Sequence, residues 1–101
     1  MSDAKDEAQD KLHAAEQAFR FGVYRHKKGG LYVPYSLTLD EPTLSVLVHY
    51  ASLEKRTRWT RTLENFTEED EVKGQARFAL DHPFDGDWMK LAGLPPRPRG
   101  K

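Results

Sequence analysis

The most chemically versatile residue in the middle of the chain is His26, which is flanked by Arg25 and Lys28. A neutral imidazole near physiological pH can act as a base, a ligand or a hydrogen-bond donor. Acid–base catalysis would also need a carboxylate to orient the ring, and Asp40 or Glu41 would have to supply it. No nucleophile elbow, phosphate-binding loop or dinucleotide fingerprint occurs in the sequence. We therefore predict no catalytic residue, and an enzyme using His26 with Asp40 stays as an alternative.

The sequence gives no pattern for a metal site. His13, His49 and His82 show no metal-ligand spacing with His26 or with each other. The chain has no cysteine, which excludes thiolate ligands and disulfides. Contiguous acids at 68–71 are typical of a solvated loop rather than of a tuned acid–base pair. We therefore expect neither a metal nor a cofactor.

A mixture of aromatic and basic side chains is the sharper signal. Stacking surfaces beside cations are what proteins use to bind single-stranded nucleic acid. The same composition suits a groove in which aromatic rings pack against an extended peptide. The largest rings of a small barrel can also simply fill its core. The candidate binding residues are Tyr24, Arg25, His26, Lys28, Tyr32, Tyr50, Trp59 and Arg61. Arg58 adds a further positive charge beside them.

The overall charge gives no reason to expect polyanion binding. Sixteen basic and sixteen acidic side chains cancel over the 101 residues, which is enough chain for one domain. Their distribution is uneven, because residues 20–61 carry eight bases and three acids, whereas residues 62–71 carry five acids and no base. The acidic segment counts against nucleic-acid binding unless it lies on the opposite face.

Alternating apolar and polar residues predict the elements that must position these side chains. About five short strands with tight turns predict a mainly β fold, a small SH3-like barrel or roll of antiparallel strands. The alternation over 31–39 would put Leu31, Val33, Tyr35, Leu37 and Leu39 on one face, although Pro34 requires an edge or a bulge. The predicted strands are 22–26, 31–39, 44–53, 58–63 and 76–80. Paired glycines at 29–30 predict the first hairpin turn.

Helices are expected only at the two ends. An alanine-rich apolar stripe predicts a helix over residues 3–19, and a short helix ended by Gly93 should precede the Pro/Arg tail at 95–99. The resulting organisation is an N-terminal helix over 1–20, a β domain over 21–81, and a C-terminal helical turn with its tail over 82–101. No signal peptide or membrane span is indicated, so we expect a cytoplasmic protein that does not insert into membranes.

Several motifs in the β region occur in the order of a known family. They begin with Tyr24-Arg25-His26, Lys28-Gly29-Gly30 and Tyr32. Other residues match the family pattern in register: Gly22 before these motifs, and Thr43, Val48, Tyr50, Leu53, Trp59, Arg61 and Phe66 after them. A closing set of Val72, Gly74, Arg77 and Phe78 also resembles the family. Over residues 22–80 the chain thereby resembles an uncharacterised bacterial family, domain of unknown function 1653. The resemblance implies an SH3-like β-barrel or roll and brings no established activity.

The chain departs from the family pattern at four positions. Asp40 and Pro42 replace a histidine and a glutamate, Thr62 replaces a proline, and Asn65 replaces a methionine. If the family's histidine and glutamate are functional, this chain has lost or altered that function. If they only shape a turn, Asp40 and Pro42 can replace them. The sequence leaves both interpretations open.

Taken together, these patterns predict a non-enzymatic binding module with a protein or peptide partner. Single-stranded nucleic-acid binding through the aromatic and basic face is the first alternative, and an enzyme using His26 with Asp40 is the second. The sequence gives no oligomeric state.

Overall fold

The structure is a computed structural model that describes residues 4–70, 75–83, 90 and 93. The elements, in chain order, are α1 (Ala4–Ala18), β1 (Gly22–His26), β2 (Leu31–Leu39), β3 (Val46–Ser52), β4 (Arg58–Thr62), α2 (Leu63–Phe66), β5 (Glu69–Asp70), β6 (Gln75–Ala76) and β7 (Phe78–Pro83). The predicted N-terminal helix and first four strands are present within a few residues of their expected bounds. The Pro/Arg tail and most of the predicted C-terminal helix lie outside the described residues, but Lys90 is helical and Gly93 has the positive φ, 71°, expected at the end of that helix.

The main sheet has five antiparallel strands in the order β4-β3-β2-β1-β7. Strands β5 and β6 form a separate two-stranded ribbon, where the contiguous acids suggested a solvated loop. The prediction of a mainly β fold with five antiparallel strands and an N-terminal helix is confirmed. The SH3-like barrel is not confirmed, because β4 and β7 are the two edges of an open sheet in the part of the chain that the structure describes. A barrel closes only when its edge strands pair with each other.

A β-bulge in β2 divides the sheet's apolar side chains between its two faces. The pairing passes from Pro34 opposite Tyr50 directly to Ser36 opposite His49, so Tyr35 is an extra residue on β2. An extra residue reverses the alternation of every side chain that follows. The prediction that Val33 and Leu37 share one face is therefore wrong. The expectation that Pro34 marks a bulge is confirmed.

Each face of the sheet carries its own buried cluster. The first contains Val23, Val33 and Ala51. The second is larger and mostly aromatic, and α1 and α2 pack on its face. Its buried members are Leu37, Val48, Tyr50, Phe66 and Phe78, with Leu12, Ala15 and Phe19 of α1 beside them. The largest side chains are thus concentrated on the face that the helices cover.

The β1–β2 turn has the geometry that its paired glycines predicted. Gly29 and Gly30 both have positive φ angles, of 98° and 85°. The backbone N–H of Gly29 donates to the carbonyl of His26 at 2.8 Å, and the N–H of His26 donates to the carbonyl of Gly30 at 3.1 Å. This tight turn holds the end of β1 directly beside the start of β2.

Strand β4 ends one residue earlier than predicted because the short helix α2 begins there. The hydroxyl of Thr62 accepts a hydrogen bond from the backbone N–H of Asn65 at 3.1 Å and so caps the helix. The helix then places Phe66 under the sheet, where it is only 1% exposed. A four-residue helix has too few residues to show periodicity, which is why the sequence did not reveal it.

Candidate functional site

A concave surface of about 440 Å³ lies at the end of the sheet where the β1–β2 and β3–β4 turns meet. The two turns are neighbours because Tyr32, at the start of β2, pairs with Ser52, at the end of β3. We call this surface the hairpin groove. Its lining includes His26, Lys28, Tyr32, Ser52, Lys55 and Trp59. Its volume is within the range of sites that hold small molecules or peptide side chains.

Trp59 forms the most unusual part of the hairpin groove. It is 53% exposed, and no other large hydrophobic side chain in the described residues is exposed. The residue lies on the edge strand β4, directly opposite Tyr50 of β3. Its indole therefore projects from the same face as the aromatic cluster but extends beyond the part that the helices cover.

The three tyrosines predicted for binding lie mainly in the core. Tyr50 is 4% exposed, and the ring of Tyr24 packs edge-on against Phe66 at 5.3 Å between centroids. Burial raises the pKa of Tyr24, whose hydroxyl donates to the backbone carbonyl of Arg20. Tyr32 is half-buried and is the only one of the three that also lines the hairpin groove. Core packing, which the sequence left open as an alternative, therefore accounts for most of the surroundings of these three tyrosines.

His26 lines the groove as a fixed hydrogen-bond donor. Its ring packs edge-on against Phe78 at 4.9 Å, and Nδ1 accepts the backbone N–H of Lys28 at 3.1 Å. An accepting Nδ1 places the proton of the neutral ring on Nε2. Nε2 has no hydrogen bond to the described residues and is not among their buried unpartnered atoms, so solvent reaches it. The groove therefore offers one N–H donor at this point.

The protonation state of His26 gives a testable prediction. Burial, and then the positive charges of Arg61 and Arg77, lower its pKa from the ordinary value of 6.5. The folded chain then binds fewer protons at this site than the unfolded chain. The contribution of neutral His26 to the free energy of unfolding is therefore complete above pH 6.5. It is lost as the pH falls from 6.5 through the folded-state pKa.

Nuclear magnetic resonance titration measures this pKa directly. We expect the ring Cε1–H signal of His26 to titrate below pH 6.5 in the folded protein and at about 6.5 in the urea-unfolded chain. Nitrogen shifts of the neutral ring should show the proton on Nε2. A folded-state pKa above 6.5, or a neutral ring protonated on Nδ1, would contradict the geometry described above.

The predicted pairing of His26 with Asp40 does not form. His26 lies beside Gly30 at the start of β2, whereas Asp40 follows the last residue of that nine-residue strand. Nine strand residues span roughly 25–30 Å. The carboxylate of Asp40 instead accepts the hydroxyl of Thr43 at 2.6 Å, and its carbonyl accepts the N–H of Leu44 at 2.6 Å. Asp40 therefore shapes the β2–β3 turn in this chain.

Two of the predicted basic residues have structural partners outside the groove lining. Arg25 projects from the opposite face of β1, and its Nε lies 3.3 Å from a carboxylate oxygen of Asp81. Arg61 donates from Nε to the hydroxyl of Tyr50 at 2.8 Å, and its guanidinium also donates to Asn65. Only Lys28 among the predicted bases lines the groove, together with Lys55. Sequence reasoning did not select Lys55 or Ser52, because their position beside His26 depends on the order of the strands.

Neither a metal centre nor a membrane span is found in the described residues. No group of three or more histidine and acidic side chains there could hold a metal ion. No helix in that part of the chain is both long enough and apolar enough to cross a membrane.

Comparison with known proteins gives a family and a fold but no activity. The family model described as a protein of unknown function, DUF1653, matches residues 22–80. A crystal structure of a DUF1653 protein from Bordetella bronchiseptica is 35% identical, with a TM-score of 0.58. The alignment covers 68% of this chain and 95% of the Bordetella chain. No curated protein matches the chain.

Proposed function

The chain belongs to the DUF1653 family of proteins of unknown function, and we propose that it is a non-enzymatic module that binds an extended peptide segment of a protein partner. The hairpin groove is the binding site. The observation that carries the proposal is the exposure of Trp59 at the rim of this groove, while the other rings of the same face are buried or half-buried. The absence of cysteine favours the cytoplasm as the place of binding.

The chemistry of the groove suits a peptide. Tryptophan and tyrosine supply large contact areas and are enriched at the energetic centres of protein interfaces. Trp59 and Tyr32 offer apolar surface, and the Nε2–H of His26 offers a hydrogen bond to a peptide carbonyl or carboxylate. Lys28 and Lys55 add positive charge at the rim, and Glu54 offsets part of it. Apolar area with a few fixed polar groups is the usual composition of a binding site.

The same geometry gives little support to the enzyme alternative. Nδ1 of His26 is occupied by the backbone N–H of Lys28, so no carboxylate orients the ring through that atom. Asp40, the carboxylate that the alternative requires, belongs to a turn at the far end of β2. A general base needs its partner within hydrogen-bond reach.

Nucleic-acid binding is supported less well than peptide binding. Sequence-tolerant recognition of a single strand stacks successive bases on several exposed rings. Of the four rings predicted for this role, Tyr50 is buried, and Tyr24 and Tyr32 are half-buried against the aromatic cluster. Trp59 alone presents an exposed face, which would hold one base rather than a run of bases.

Replacing Trp59 by alanine is expected to weaken peptide binding at least tenfold. Peptides for the measurement would be selected against the whole chain from a phage library of random ten-residue sequences. Trp88→Phe leaves Trp59 as the sole tryptophan, so its emission reports each titration. The affinities of Trp59→Ala would be measured by calorimetry, because this variant lacks the reporter. The matched control is Arg25→Ala, which changes an exposed side chain on the opposite face and should leave the affinity unchanged.

Two results would contradict the proposed function. One is a library that yields no peptide whose binding depends on Trp59. The other is binding of a labelled fifteen-residue oligothymidylate that weakens steeply with salt and with loss of Trp59, since that behaviour indicates nucleic-acid recognition.

A further inference from the structure

Strand β4 presents an open edge of the main sheet beside the hairpin groove. Among the strands of the described residues its only partner is β3, and four of its five residues are exposed, the exception being Arg61. It contains neither proline nor a bulge, and three of its five residues are β-branched or aromatic at 59, 60 and 62. Edges with these properties are competent to pair with another strand.

The register shows which backbone groups of β4 point outward. Hydrogen-bonded and non-hydrogen-bonded pairs alternate along an antiparallel ladder. The N–H of Ser52 donates to the carbonyl of Thr57, so the pair of Tyr50 with Trp59, two positions further, is also hydrogen-bonded. The backbone groups of Arg58 and Thr60 therefore point away from β3, towards the open edge. No backbone hydrogen bond from the described residues reaches them.

The edge is strongly basic. Residues 55–62 contain four bases and no acid. Arg61 is engaged with Tyr50 and Asn65, whereas Arg58 is exposed on β4 and donates only to the carbonyl of Gly93, at 3.3 Å, among the hydrogen bonds of the described residues. Lys28 and Lys55 extend the positive charge into the hairpin groove, where Glu54 is the one acid of the lining. Like charges on facing strands are destabilising, so this edge repels a second copy of itself and attracts an acidic strand.

We infer that β4 is a docking edge to which an acidic, extended peptide adds as a sixth antiparallel strand. The inference deepens the proposed function and depends on it, because it names the partner's chemistry and how it docks. Main-chain hydrogen bonds to Arg58 and Thr60 would supply affinity in this mode, and side-chain contacts would supply specificity.

The geometry of the edge specifies the alternation of the partner. A peptide residue opposite Arg58 or Thr60 forms a hydrogen-bonded pair with β4, and its side chain lies on the face of Arg58, where an acid is favoured. A residue opposite Trp59 forms a non-hydrogen-bonded pair, in which the two side chains approach most closely. An apolar side chain there would pack on the indole. The preferred partner therefore alternates acidic and apolar residues.

A capped ten-residue peptide that alternates glutamate and valine is the probe, and Thr60→Pro is the main variant. Proline removes the outward N–H of Thr60 without removing a backbone hydrogen bond to β3. Both this variant and its control lose the contact of the Thr60 hydroxyl with Nδ1 of His49, at 3.4 Å. Thr60→Val is the matched control, because it keeps the N–H and the β-branched shape. We expect Thr60→Pro to weaken binding at least tenfold and Thr60→Val to stay within about twofold of the parent chain, both by calorimetry. Circular dichroism would check that each variant folds.

Backbone methylation of the probe tests the same hydrogen bonds without changing the protein. In the inferred register the glutamate amides face β4 and the valine amides face solvent. Methylation of the glutamate amides should weaken binding at least tenfold, whereas methylation of the valine amides should be tolerated. A probe with lysine in place of glutamate should not bind, and added salt should weaken binding of the acidic probe.

The outcomes separate the two proposals. Suppose that Trp59→Ala loses binding, whereas Thr60→Pro binds as the parent chain does and both methylated probes bind as the unmethylated probe does. This result would overturn strand addition and leave groove binding intact. Absence of any Trp59-dependent peptide would overturn both. Concentration-dependent dimers in sedimentation that Thr60→Pro abolishes would assign the edge to a second copy and would also overturn the inference.

Discussion

Replacing Phe66 by alanine is expected to lower the free energy of unfolding by about 4 kcal/mol. Phe66 is 1% exposed and stacks on Phe78, with centroids 4.3 Å apart and planes 7° from parallel. It also contacts Tyr24 and Tyr50, so its removal leaves a cavity among rings that cannot all move inwards together. Domains of this size are stable by only about 5–15 kcal/mol, so the loss is a large fraction of the total.

Chemical denaturation followed by circular dichroism measures this loss. Phe66→Leu retains most of the buried volume and should cost about 1.5 kcal/mol or less. Trp59→Ala also removes an aromatic ring, but from an exposed position, and should cost at most about 1 kcal/mol. Equal losses for Phe66→Ala and Trp59→Ala would show that the centre of the aromatic cluster has been misplaced.

Replacing Arg61 by methionine is expected to cost about 2–3 kcal/mol, even though Arg61 lies on an edge strand. Its Nε–H is the hydrogen-bond partner of the nearly buried hydroxyl of Tyr50, and its guanidinium lies 5.6 Å from the centroid of Phe78. Methionine fills a similar volume but leaves that hydroxyl without this donor. The side chain also joins β4 to α2 through Asn65. Arg61 is therefore assigned to stability rather than to ligand binding.

A double-mutant cycle isolates the contribution of this hydrogen bond. In a Tyr50→Phe background the hydroxyl is absent, so Arg61→Met should cost less by at least about 1 kcal/mol. Arg58→Met changes an exposed arginine of the same strand and should stay within about 1 kcal/mol of the parent chain. If Arg61→Met costs no more than Arg58→Met, the structural role assigned to Arg61 is wrong.

Local sequence patterns predicted the strands but not the face of the sheet on which each side chain lies. The glycines at 29 and 30 dictate a turn through their own backbone freedom, and the alternation within β3 survives in the sheet. The alternation along 31–39 fails at Tyr35, because one bulged residue moves Leu37 to the other face. The position of an extra residue depends on the partner strand, which a single run of sequence does not specify.

The candidate site shows the same limit. The sequence selected Trp59, His26 and Lys28 as candidate binding residues, and two adjacent hairpins bring them together in the groove. It did not distinguish Trp59 from Tyr50, although the two lie directly opposite each other on adjacent strands. Helices α1 and α2 cover the part of the face that contains Tyr50, and this tertiary packing alone separates a core ring from an exposed one.

The departures from the family pattern also have a physical interpretation in this chain. Asp40 replaces a histidine of the pattern, and its carboxylate and carbonyl bind Thr43 and Leu44 within the β2–β3 turn. Leu44 has a φ of 59°, which that turn requires. Asp40 lies a full strand length from the hairpin groove, so the groove keeps its own chemistry whatever the replaced histidine does elsewhere in the family.

Amide hydrogen exchange of β4, measured with and without the acidic probe, tests the central claim most directly. We expect exchange at the outward amides of Arg58 and Thr60 to slow at least tenfold for each when the probe is bound. The amides of Trp59 and Arg61 already donate to β3 in the inferred register, so their exchange should change much less. Unchanged exchange at Arg58 and Thr60 under saturating probe would contradict docking at this edge.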